Sequence, residues 1–114
     1  MTDYQLVQEC IEKSSWPALL RIMFALAYWM MQKITNDNCV AFCAYLGYTF
    51  DTTAKTISNG TTTYTIFSAL EAACDSIYPD HIMLGKYIMK NTINAAESEN
   101  YITPSEKSAL VAKL

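Results

Sequence analysis

Four cysteines and a single histidine are the residues of this chain best suited to chemistry. Cys39 and Cys43 stand four apart, so on a helix both thiols point the same way. With Cys74 and His81 they would complete a three-sulfur, one-nitrogen zinc site. Structural zinc sites use tighter paired spacings, and Val40, Phe42 and Tyr45 make this neighbourhood apolar. Free cysteine packs as a small hydrophobe, so buried, reduced thiols are expected and no metal is assigned. A Cys39–Cys43 disulfide is not expected either, because the spacing lies near the upper end of the bonding range.

His81 beside Cys74 or Cys43, or among Asp75 and Asp80, would make a nucleophile–base pair. Yet it follows Pro79 and Asp80 in the first turn of an expected helix, where histidine is ordinarily solvated and the dipole disfavours its charged form. No catalytic residue is assigned. Only three glycines occur, far apart, which excludes a P-loop or a dinucleotide-binding turn, and no cofactor is expected. Eight basic side chains are scattered among eleven acidic ones, for a net charge of −3. No basic stripe exists, so general nucleic-acid binding is not expected.

The elements that must position these residues are organised around positions 16–34. Residues 22–31 are apolar without interruption, with Arg21 before them and Lys33 after. A surface helix has an apolar stripe and a polar face; this one lacks the polar face, so something must cover it on every side. A membrane span needs about 20 apolar residues; Arg21 breaks this run too early, and the rest of the chain alternates polar and apolar, so a membrane location is not expected. With no leader-like segment before them, the cysteines point to a reducing, cytoplasmic setting.

The remaining chain divides by its cap and turn signals. Residues 3–13 read as an amphipathic helix capped by Thr2 or Asp3, with Leu6, Val7, Cys10 and Ile11 on one face. Residues 38–48 could alternate on a strand through Val40, Phe42 and Tyr45, but Asp37 as a cap and Gly47 as a stop favour a short helix. Threonine dominates residues 49–67, where Asn59-Gly60 suits a type I′ turn between strands 53–58 and 61–67; a long threonine-rich loop is the alternative. Ser68 with Glu71 suggests a capping box for a helix over 68–77. A longer helix follows from Pro79 or Asp80, its stripe carrying Ile82, Gly85, Met89 and Ile93 and widened by Leu84, Ile88 and Ala95. Thr103-Pro104-Ser105-Glu106 starts a last helix.

The expectation is therefore one mainly-α (α+β) domain over 1–114: a small helical bundle around one central apolar helix, with a hairpin near 53–67. Composition is 52% hydrophobic and only 17% charged, which leaves apolar surface for an interface in so small a chain. The function expected first is a non-enzymatic protein-interaction module that self-assembles as a homo-oligomer or acts on another protein as a small adaptor or phage-type inhibitor. Its anchors are Trp16, Phe24, Tyr28 and Trp29, since aromatic residues dominate interface energetics. Met23, Met30, Met83 and Met89 are assigned to the core. The second function is a small thiol-dependent enzyme or ligand-binding domain using Cys74 or Cys43 with His81.

Overall fold

A computed structural model of the protein describes residues 1–77 and 82–114. The expected stop at Tyr78-Pro79-Asp80, the helix start there and His81 lie outside the described residues. In chain order come α1 (Asp3–Lys13), α2 (Ala18–Met30), α3 (Asn36–Tyr45), β1 (Thr49–Asp51), β2 (Thr56–Ser58), β3 (Thr63–Thr65), α4 (Ile66–Asp75), α5 (Ile82–Ser98) and α6 (Pro104–Val111). The fold is mainly α with a small three-stranded antiparallel sheet, as the pattern of periods and turns implies. The radius of gyration, 12.8 Å, matches the roughly 13 Å of a compact chain of this length.

Side-chain caps fix the starts of α1, α3, α4 and α6, while Pro17 precedes α2 without one. Thr2 and Gln5 form a reciprocal capping box on α1, and Thr103 and Glu106 form another on α6, with Pro104 at its first position. Two caps differ from expectation. Thr35, not Asp37, caps α3, and Asp37 sits in the first turn instead. On α4 the cap is Thr65, and Ser68 is the partner three residues on, leaving Glu71 outside the box. The reason is local: Thr65 closes β3 and already has the extended backbone (φ −74°, ψ 170°) that a cap requires.

Three helices end in the same way, and it explains why α2 stops four residues before position 34. After Met31 the chain turns left-handed at Gln32 (φ 59°). The amides of Gln32 and Lys33 donate to the carbonyls of Trp29 and Tyr28 at 2.9 and 2.7 Å, which is the Schellman closure. Gly47 (φ 85°) closes α3 with Tyr48 donating to Cys43, and Asn100 (φ 65°) closes α5 with Tyr101 donating to Ala96.

The sheet runs β1-β2-β3. Phe50, Ile57 and Tyr64 stand opposite one another across it; Phe50 and Ile57 are buried and Tyr64 is partly so. The strands are shorter than expected, and the turn is not type I′, because Asn59 does not take a positive φ. Its side-chain Oδ1 instead accepts from the amides of Thr61 and Thr62 at 3.0 and 2.8 Å, so a four-residue loop replaces the two-residue one. Ile66 is buried, but as the first residue of α4.

Helix α2 packs against α1, α3, α4 and α5. Eight of its thirteen residues are buried. Gly85 lets α5 come close: a Cβ there would stand 3.3 Å from Ile77 and 3.6 Å from Leu20. Thr92 of α5, fully buried, donates its hydroxyl to Ile88 O at 2.8 Å and reaches Met23 O of α2 at 3.3 Å. Leu20 thus faces Gly85 and Met23 faces Thr92, so the two helices run in the same sense. Met23, Met30 and Met89 are core residues as expected; Met83 is not, being 82% exposed. Two residues before Gly85, it lies about 160° around the helix from it, off the Gly85–Met89–Ile93 stripe.

Candidate interaction surface

Helix α2 does not bury its whole circumference. Arg21, Phe24, Tyr28 and Met31 lie at helical spacing along one side and keep partial or full exposure. Arg21, the charge that interrupts the apolar run, has a structural task. Its Nε donates to Trp16 O at 2.9 Å and its Nη1 to Ile11 O at 2.7 Å. One guanidinium therefore satisfies a terminal carbonyl of α1 and fixes the link into α2.

Three of the four aromatic residues expected as anchors are brought together here. Phe24 packs on Trp16 with ring centroids 6.4 Å apart and on Tyr28 at 5.3 Å, both tilted. Trp29 is elsewhere. One residue further along the helix turns it by about 100°, and it is only 6% exposed. Its ring meets Phe50 edge-on at 4.9 Å and Tyr101 at 5.4 Å, with the Lys55 ammonium 5.2 Å above it. Its indole N–H donates to Asn36 Oδ1. Trp29 ties the sheet and α3 to α2 and is a core residue.

Beside Tyr28, α2 and α5 enclose a groove of about 750 Å³, open along one side. Phe24, Tyr28, Tyr87, Ile88 and Ala95 line it, Asn91 and Asn94 give it polar edges, and Asp3, Lys33 and Glu99 stand around it. A second groove of about 580 Å³ lies between α1 and the start of α2, lined by Leu6, Cys10, Trp16 and Phe24. Phe24 lines both, so the pair makes a trough along α2 in two halves, one beside α5 and one beside α1, with this ring between them.

Burial, the Asp3 carboxylate, Cys10 and Tyr87 together hold the Tyr28 phenol above its ordinary pKa. It stays protonated, a neutral hydrogen-bond donor in an aromatic floor. Sequence reasoning missed Tyr87, which is 64% exposed, and misplaced Met83 in the core and Leu84 on the buried stripe, where both are exposed. Their signal was present: positions 83, 84 and 87 are apolar yet lie off the stripe that carries Gly85, Met89 and Ile93.

The thiols take a different course. Cys39 and Cys43 are fully buried on α3. A hydrogen bond to Cys43 and burial push the Cys39 thiol up. Burial pushes Cys10 up to about 11 against the nearby Arg21. Burial and the Asp75 and Glu71 carboxylates push Cys74 up to about 11, with Lys113 opposing. An activated cysteine needs the reverse, a thiolate favoured near neutral pH. Among the described residues no three His, Cys, Asp or Glu side chains converge where a metal ion could sit, and no helix is long and apolar enough to cross a membrane.

Comparison with protein-family models, with curated proteins and with solved structures finds no match to this chain.

Proposed function

We propose that the protein is a non-enzymatic interaction module that docks another protein surface into the trough along α2. The observation that carries this is the partly exposed Trp16–Phe24–Tyr28 series set between the walls of α1 and α5. A recessed aromatic floor with a polar edge is the composition of an interface core and its rim. It supplies pockets in which a partner's side chain loses its water, the setting in which a few contacts dominate affinity. The shape fits a helix laid along the trough, by apolar residues repeating every three to four positions. Self-association and the capture of a different protein, as a small adaptor or inhibitor would do, both use this one surface. Thiols kept neutral by burial suit a reducing compartment and ask nothing of the cysteines beyond packing.

The test is a charge placed on the floor. Tyr28→Asp should leave the far-ultraviolet circular dichroism unchanged and abolish association, whether read as mass by light scattering at two concentrations or as binding to a captured protein. Wild-type protein that stays monomeric at high concentration and captures no protein contradicts the proposal. So does a Tyr28→Asp variant that associates as the wild type does.

A further inference from the structure

We infer that the groove between α2 and α5 takes an arginine side chain of the docked protein, its guanidinium against Tyr28 and Tyr87 and beside the Asp3 carboxylate. This rests on the interaction function proposed above and names what the partner brings to it. Ring surface stands on both helices: Phe24 and Tyr28 on α2, and Tyr87, 64% exposed, on α5. The face of an aromatic ring is the negative part of its quadrupole and attracts a cation within about 6 Å of the centroid. A planar guanidinium stacks on such rings while its edge donates to a carboxylate.

The charges favour a cation over other occupants. Two carboxylates, Asp3 and Glu99, stand around the groove against one ammonium, Lys33. Lys33 and Glu99 both follow the C-terminal ends of their helices. Since α2 and α5 run in the same sense, these two share one end of the groove. Asp3 acts on the aromatic floor itself. Burial, Asp3, Cys10 and Tyr87 all push the Tyr28 phenol in the same direction, so the ring lies in the field of the acid and not of Lys33.

An acidic side chain in the groove would face Asp3. A wholly apolar one would cover the Asp3 carboxylate and the amides of Asn91 and Asn94 without replacing their water. Arginine meets both demands. Its methylene stem is apolar enough to lie along Ile88 and Ala95 while the charged head stays with Asp3. The asparagine amide oxygens accept from its remaining N–H groups.

The test titrates N-acetyl-arginine amide into the full chain and follows the ring protons of Phe24, Tyr28 and Tyr87 by nuclear magnetic resonance. The neutral N-acetyl-norleucine amide and the acidic N-acetyl-glutamate amide are run beside it. The arginine probe should shift these rings and bind about fivefold more tightly than norleucine, with the advantage shrinking as salt is added. Tyr87→Leu keeps the apolar area and removes the ring; it should weaken arginine binding about fivefold and leave the circular dichroism unchanged. Asp3→Asn should weaken it about threefold, and Lys33→Met should tighten it. No shift with the arginine probe, equal or tighter binding of norleucine or glutamate, or wild-type arginine binding by both Tyr87→Leu and Asp3→Asn overturns the inference. If the arginine probe does not bind while Tyr28→Asp still abolishes association, the arginine reading fails and the interaction function stands.

Discussion

Tyr28 and Trp29 are neighbours in the chain and opposites in the molecule. Trp29 is held on Phe50, Tyr101 and Asn36 in the interior, while Tyr28 lines an open trough beside Phe24. Both sit on one helix, both are aromatic, and both belong to the same apolar run. What separates them is which neighbours the rest of the chain supplies. On the Trp29 side the sheet and α3 close over the ring; on the Tyr28 side α1 and α5 stand apart. An apolar residue on a helix like this becomes core or interface according to tertiary cover, not according to its type.

The largest expected effect lies on the covered side. Trp29→Ala should lower unfolding free energy by about 3–5 kcal/mol, as other large-to-small aromatic truncations do, read from urea unfolding. Tyr28→Ala should lower it by only about 1 kcal/mol while removing association. Equal losses at the two positions would erase the contrast.

Arg21 comes next, because it lies on the open side yet serves the fold. Arg21→Met deletes two charge-assisted hydrogen bonds to backbone carbonyls and should lower stability by about 1.5–3 kcal/mol. If instead it weakens association and spares stability, Arg21 belongs with Tyr28. A smaller effect of opposite sign is expected where α2 ends: Gln32→Gly removes a side chain from left-handed backbone (φ 59°) and should raise stability by about 1 kcal/mol, visible as a higher melting temperature.

Smallest are the pH effects, which set the thiols apart from both sides of α2. Cys10 and Cys74 are raised from 9.0 to about 11. Their neutral form favours the folded state fully below pH 9, and that contribution is lost as pH rises from 9 to about 11. All four cysteines of the native protein should alkylate slowly at pH 7.5 by mass spectrometry, the partly exposed Cys10 ahead of the buried three; a fast Cys74 or Cys43 would revive the enzymatic alternative with His81. Asp51 has the reverse sign. The amides of Ala54 and Thr53 hold its carboxyl below the usual range. Its contribution is present above the ordinary aspartate value and lost as pH falls through the lowered one, so Asp51→Ala should flatten the acid limb of the stability profile.

How much of this was legible in the sequence depends on whether a signal was local. The bounds of α1 and the start of α6 were, since Thr2 and the Thr103-to-Glu106 box announce themselves within four residues. The end of α2 was not, because Gln32 in a Schellman closure has no sequence mark of the kind Gly47 gives α3. Strand β1 was hidden for a similar reason: its turn is built by Asp51 accepting from Thr53 and Ala54, with Lys55 at φ 58° and no glycine. The candidate surface was half legible. Aromatic type pointed to Trp16, Phe24, Tyr28 and Trp29, but a run apolar all round has no polar face to show which side stays open. That choice is made by tertiary cover: Phe50, Tyr101 and Asn36 close over Trp29, while Tyr28 is left beside the groove.

The two tryptophans allow the central claim to be tested directly, by acrylamide quenching of the wild type and of Trp16→Phe, which leaves Trp29 as the sole tryptophan. Trp29 should be shielded at every protein concentration. Trp16, taken from the difference, should be readily quenched in dilute solution. Equal access for both residues in dilute solution would contradict an α2 helix with one face closed by its own chain and the other left open.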